Sequence, residues 1–188
     1  MTADTHSVLV VTKDSKLSAM MSALLMAPLF EAQVISDFNE ARRLTSERVY
    51  NIILSDYSDG EGVDFATDIS ESLSTILLLT PQTLYEEISY RVEGYGIITV
   101  ATPFDQFTFY STIKTAIAVQ YKVHILQSQT TKLKVKMEEI RLVNRAKMLL
   151  MQHLNMTESE SHRYIEKEAM NRGLKKTAVA EEIIRNYG

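Results

Sequence analysis

Hydrophobic positions change their period along this chain. Residues 7–11 (Ser-Val-Leu-Val-Val) form a short apolar run rich in branched side chains, the pattern of a strand covered on both faces. From 15 to 27 the period lengthens to that of a helix, with Leu17, Met20, Met21, Leu24 and Leu25 on one face and Pro28 closing it. The alternation then repeats, predicting strands at 32–35, 52–55, 76–80 and 97–100 with helices between them. Strands separated by helical segments predict βαβ units, hence a doubly wound five-stranded parallel sheet and one α/β domain over residues 1–120. In such open sheets, function sits at the carboxyl ends of the strands.

Past Phe104 the pattern becomes helical and meets neither Pro nor Gly for about forty residues. Val119, Val123, Leu126, Thr130, Leu133, Met137, Ile140 and Asn144 follow one another at alternating spacings of four and three. That period defines a coiled-coil seam, so 121–140 reads as a dimerisation helix with Val123, Leu126, Thr130, Leu133, Met137 and Ile140 facing a second copy. A stripe this narrow, held for more than three heptads, favours a partner helix over packing within the chain. Thr130 and Asn144 are polar seam positions that set register in a parallel homodimer. Lys132, Lys134, Lys136, Glu138, Glu139 and Arg141 flank the seam and are expected in solvent.

Residues 141–188 complete an all-α module. The connector helix is expected to run to 151 or 153, its Leu142, Leu149 and Leu150 passing from seam to bundle core. Thr157-x-x-Glu160 is a capping box that opens a helix carrying Tyr164, Ile165, Glu168 and Ala169 at helical spacing. Gly173 stops it after Arg172, Lys175 and Lys176 fall in the loop, and Thr177 is expected to cap a last helix with Ala180, Ile183 and Ile184 inward. Three short helices with brief connections predict a small bundle around one core.

Charge separates the two halves. Residues 1–120 carry −9 and residues 121–188 carry +5, within a net −4. An acidic front and a basic back imply two functions, the second facing an anionic partner. The chain has no cysteine, which excludes a disulfide framework and a thiolate zinc site and fits a reducing cytoplasm. It contains no apolar run of membrane-spanning length, and its first seven residues lack the pattern of a signal peptide, so a cytoplasmic protein without membrane partners is expected. No nucleophile–base pair, intact phosphate loop or metal cluster supports an enzyme, and His153 and His162 read as ordinary polar residues.

The ends of the front strands resemble the receiver domain of two-component response regulators. Asp56 falls at the phosphoacceptor position, Thr80 at the switch hydroxyl, and Thr102-Pro103-Phe104 at the family's Lys-Pro-Phe. The resemblance implies a pocket formed by Thr12, Lys13, Asp14, Thr80 and Thr102 around Asp56. A working receiver needs two acidic residues after the first strand to hold Mg²⁺, which neutralises the incoming phosphoryl charge. Here that strand runs into Thr12-Lys13, with Asp14 one place late, and Thr102 replaces the lysine that pairs with the phosphoryl group. Asp59-Gly60 stands where Met-Pro is usual, and Thr99 takes the place of the switch aromatic. These departures imply a pseudo-receiver that needs no cofactor, with Lys13 supplying to Asp56 the positive charge that a metal would give. Asp14, Asp59 or Glu61 could still complete a Mg²⁺ site, which keeps a phosphorylation-dependent regulator as the alternative.

The back module resembles the ANTAR domain of transcription antitermination regulators over residues 140–186. The resemblance is carried by Ala146-Lys147-x-x-Leu150-Met151, the polar turn before the second helix, Ala169-Met170 with Arg172, and Ala180. Met148 departs from a common glycine, and Ser161-His162 from an alanine near the aromatic at Tyr164. The family recognises paired short RNA hairpins, whose loops are read by stacking, hydrogen bonds to splayed bases and cations on phosphates. The resemblance therefore implies RNA contacts from Arg145, Lys147, Arg163, Tyr164, Arg172, Lys175 and Lys176, with Lys167 at the edge of the set. The expected protein is a dimeric antiterminator acting on hairpins of a leader mRNA. Its front domain would answer to a sensor kinase, a regulatory protein or a small ligand. A basic three-helix bundle also suits a DNA major groove, and a pure dimerisation module is the remaining rival.

Overall fold

The computed structural model describes residues 5–188. It divides into two compact units, Met1–Ile125 and Leu126–Gly188. In the first, β1 (His6–Val11), β2 (Phe30–Ile35), β3 (Ile52–Asp56), β4 (Thr75–Pro81) and β5 (Ile98–Thr102) form one parallel sheet in the order β2-β1-β3-β4-β5. The register sets Val8 beside Ile52, Leu54 beside Leu77 and Leu79 beside Val100.

Both faces of the sheet are covered, which is why its strands read as continuous apolar runs. Val8, Val10, Ile52, Leu54, Leu77 and Leu79 point to one side. There they pack on Met21 and Leu25 from α1 (Ser15–Leu24) and its cap, and on Phe109, Ile113 and Ala116 from the start of α5 (Gln106–Leu154). Leu9, Val11 and Ile53 point the other way, against Phe38 and Ala41 of α2 (Phe38–Glu47) and Phe65 of α3 (Glu61–Asp68). Leu78 faces Val63 and Ala66 of α3 and Ile88 and Val92 of α4 (Tyr85–Val92) on the same side. The first helix is shorter than its apolar period suggests: it ends at Leu24, with Leu25 as cap, not at 27.

In the second unit the last turns of α5 pack with α6 (Glu158–Arg172) and α7 (Lys176–Tyr187). Ala146, Leu150, Ile165, Ala169, Val179, Ala180 and Ile183 form the buried core, with Val143, Leu149 and Ile184 at its edge. Thr157 accepts the Glu160 amide at 3.3 Å while the Glu160 carboxylate takes the Thr157 N–H at 2.8 Å, so the capping box is formed. Gly173 ends α6 at φ 62°, in the left-handed region that glycine enters without a Cβ clash. Thr177 does not cap the last helix. Lys175 occupies that place with no side-chain hydrogen bond, Lys176 is already helical, and Thr177 lies inside the first turn.

Candidate nucleic-acid interface and receiver pocket

The receiver pocket begins at the carboxyl edge of the sheet. Asp56 ends β3 and is half-buried, and its Oδ2 accepts the hydroxyls of Thr12 and Ser58, each at 3.0 Å. Thr12, almost fully buried after β1, also accepts the Asp14 backbone N–H at 3.0 Å. Asp14 is the N-cap of α1, its Oδ1 taking the amides of Lys16 at 2.7 Å and Leu17 at 3.3 Å. A pocket of about 330 Å³ lies against these groups, lined by Asp14, Lys16, Leu17, Met20, Asp56, Thr102, Pro103 and Phe104. Thr80, fully buried on β4, donates to its own strand at Leu78 O, at 3.5 Å.

Lys13 does not pair with Asp56. Its ammonium bonds the Glu61 carboxylate at the start of α3, and that bond, more than any other cause, raises the Lys13 pKa above the ordinary lysine value. The cation is thereby drawn out of the pocket, and Asp56 is held by neutral hydroxyls instead. Mg²⁺ does not fit this donor set. Asp14 is engaged in capping, Thr12 stands next to Asp56 where a second carboxylate would be needed, and Asp59 sits in a left-handed turn at φ 56°. Among the described residues no group of three carboxylate or imidazole side chains is placed to hold a metal.

In the three-helix unit the candidate RNA cations fall into two sets. Lys147, with its side chain 14% exposed, reaches Glu158 at 3.0 Å. Arg172 grips Glu182 through both terminal nitrogens at 2.6 and 2.9 Å. Lys176 bonds Glu166, which also receives His162 at 3.2 Å. These bonds hold the carboxyls of Glu158, Glu166 and Glu182 below the ordinary glutamate pKa and raise Arg172. Arg145, Arg163 and Lys175 are exposed and have no carboxylate partner among the described residues, as is true of Lys167. Tyr164 of α6 is 40% exposed.

Sequence reasoning missed the glutamates. Glu158, Glu166 and Glu182 lie ten or eleven residues from their cations, a spacing set by helix packing and not by any local motif. It also missed a groove of about 800 Å³ whose lining includes Ile140, Val143, Lys147, Met170, Leu174 and Lys175. The two departures from the family pattern are absorbed. Met148 is 62% exposed and burdens no packing, whereas Ser161 is fully buried and donates its hydroxyl to Thr157 O at 3.0 Å.

The seam residues of α5 stand in solvent within the single chain: Leu126, Leu133, Met137 and Ile140 are each at least half exposed, and Val123 is partly covered. Thr130 is exposed and returns its hydroxyl to Leu126 O at 2.9 Å.

This geometry defines a receiver fold joined through a long helix to a small helical module, and comparisons with known proteins agree. The ANTAR domain family matches residues 131–184. The transcriptional regulatory protein PdtaR of Mycobacterium tuberculosis is 26% identical over 129 residues, covering 68% of this chain. The match spans 63% of PdtaR's own length. Among solved structures, the chemotaxis response regulator CheY4 of Vibrio cholerae aligns at a TM-score of 0.53 and 21% identity, over 60% of this chain and 99% of that one. NtrX of Brucella abortus aligns at 0.58 and 13%, over 70% and 29%. A CheY-like receiver domain protein of Methanospirillum hungatei aligns at 0.57 and 17%, over 63% and 98%. These structural likenesses establish the fold of the front unit. Residues 131–184 thus match the ANTAR domain, and the unit in front of them has the receiver fold.

Proposed function

We propose that this protein is an RNA-binding transcription antiterminator that acts as a dimer on paired hairpins of a nascent leader RNA. Its receiver-like unit controls it without phosphorylation. The observation that carries the reading is the set of exposed, unpaired cations, Arg145, Arg163 and Lys175, with the partly exposed Tyr164, on an ANTAR bundle. Cations engage loop and stem phosphates while an aromatic stacks on a splayed base. Binding favours one RNA fold over a competing terminator, so the mechanism is a shift of RNA populations and not chemistry on a substrate. The exposed apolar seam on α5 supports dimerisation, since a second helix would remove Leu126, Leu133, Met137 and Ile140 from water. The hydroxyl-held Asp56, without Lys13 and with Thr102 in place of lysine, supports control by a bound protein or small ligand in the cytoplasm.

The test is binding of the full chain to a paired-hairpin RNA across a salt series, with duplex DNA as competitor. Tight binding that weakens with salt and resists DNA is expected. Displacement by DNA would assign the bundle to a major groove instead, and no binding at any salt would remove RNA as the partner.

A further inference from the structure

The seam of α5 is flanked by positive charge on both sides. With Val123, Leu126, Thr130, Leu133, Met137 and Ile140 as the contact line, the positions that border it are Lys122, Gln127, Gln129, Lys134, Lys136 and Arg141. Four are cations, two are neutral and none is acidic. The nearby acids, Glu138 and Glu139, fall on the outer side of the helix, and only Arg141 is reached by one of them, Glu138 at 3.5 Å. Lys134, Lys136 and Arg141 are all exposed.

Such bordering positions meet one another across a two-helix interface and decide which helices pair. In a parallel pair, Lys136 of one copy faces Arg141 of the other, and by symmetry this happens twice. In an antiparallel pair each border meets its own kind, so cations again face cations or glutamine. No orientation of two identical helices gives a single attractive pair across this seam. The apolar line draws two copies together while its borders push them apart, and Thr130 and Asn144 weaken the seam further.

We infer that dimerisation through α5 is coupled to a polyanion: the basic borders of the seam are a phosphate-binding surface completed only when two copies lie side by side. Each border cation that repels its counterpart also attracts RNA phosphate, and pairing two helices doubles the density of cations along one line. RNA thus neutralises the repulsion and the dimer forms on the transcript. This rests on the dimeric RNA-binding reading and adds what governs assembly. RNA is favoured over an acidic partner helix because Lys134, Lys136, Arg141 and Arg145 of this basic run all lie within the stretch that matches the ANTAR domain.

Sedimentation of the full chain tests it, at 0.1 M and at 1 M NaCl, alone, with paired-hairpin RNA at the lower salt, and with long-chain polyphosphate, which has no hairpins to tether two copies. The screening length falls from about 10 Å to about 3 Å between these salts. Monomer is expected at 0.1 M, and dimer at 1 M, with RNA, or with polyphosphate. K136E turns both Lys136–Arg141 contacts attractive and should tighten the protein-only dimer about tenfold at 0.1 M. An equally tight dimer at both salts, unmoved by K136E, overturns the charge coupling and leaves the dimer standing. If the wild type stays monomeric in all four conditions and Leu133→Asp behaves identically, the dimer reading falls as well. RNA bound by one copy, with no response to polyphosphate, overturns the proposal and directs attention to an acidic helix as the missing partner.

Discussion

Replacing Ile165 by alanine tests whether the three-helix unit rests on one small core. Ile165 is 1% exposed, near the middle of α6, and packs with Ala146, Leu150, Ala169, Val179, Ala180 and Ile183. Truncating a buried isoleucine costs about 2–5 kcal/mol, and the cost rises with the cavity that remains. Three of the six other buried members of this cluster are alanines, which have no further atoms to move into the void, so a value near the top of that range, about 4 kcal/mol, is expected. The unit spans Leu126–Gly188, and marginal stability for a unit of that size is on the order of 3–9 kcal/mol. The loss therefore rivals the whole, and the bundle should open while the sheet of the first unit stays closed. Hydrogen exchange read by mass spectrometry separates the two: α6 and α7 amides should exchange far faster, with those of β1, β3 and β4 unchanged. Ile165→Val should cost only about 0.5–1.5 kcal/mol. Protection in α6 that survives the alanine change would refute the single-core argument, because no other apolar cluster among the described residues of that unit could hold the helix.

Further expectations follow from the site geometry. Lys147→Ala should weaken hairpin binding and lower its salt dependence by about one phosphate contact per protomer, whereas Glu158→Gln, which frees the same ammonium, should strengthen binding; equal effects of both would mean that the ion pair is structural. Asp56→Asn should leave RNA affinity within about twofold, since two neutral hydroxyls hold that carboxylate; a large loss, or a phosphorylated Asp56 found by mass spectrometry after acetyl phosphate and Mg²⁺, returns phosphorylation to the mechanism. A methyl group at Gly62 would stand 1.7 Å from the Asp56 carbonyl oxygen, so Gly62→Ala should lower the urea midpoint of the first unit by an amount equivalent to about 3 kcal/mol or more; an unchanged midpoint would count against this close approach of α3 to β3. Glu158, Glu160, Glu166 and Glu182 all have pKa values lowered in the folded state. Their contribution is therefore present above the unfolded glutamate value near 4.5 and lost as pH falls through the lowered ones. The thermal midpoint of the helical unit should hold from pH 7 to 5 and decline below about 4.5, and a flat profile down to pH 3 would contradict the ion pairs.

The glutamates change how the basic surface is to be understood. Charge alone makes Lys147, Arg172 and Lys176 equivalent to Arg145, Arg163 and Lys175, but the fold gives the first three a carboxylate each. The Arg172 and Lys176 pairs are exposed, so each stabilises the bundle little and could be exchanged for phosphate at little cost, whereas the Lys147 side chain is mostly buried. RNA would then meet free cations first and recruit the paired ones afterwards, which makes the salt dependence smaller than a count of lysines and arginines implies.

The period of the apolar residues determined the alternating strands and helices and the unbroken course of α5, and two local motifs determined the capping box at Thr157 and the glycine stop at 173. Each depends on neighbours within a few residues, and local spacing is what a sequence displays directly. The place of Asp56 at a strand end was equally legible. Tertiary structure decided the partners. Lys13 is next to the pocket in sequence and points to Glu61, 48 residues on, because α3 brings that carboxylate closer than Asp56. Thr177 has the chemistry of a cap but lies inside the helix, since α7 begins one residue before it. Which cations remain free depends on which helix faces which, and that follows from burying Ile165, Val179 and Ile183 together. Local hydrogen bonding is written in adjacent residues, whereas charge pairing between helices is a consequence of packing and exists only once the core has formed.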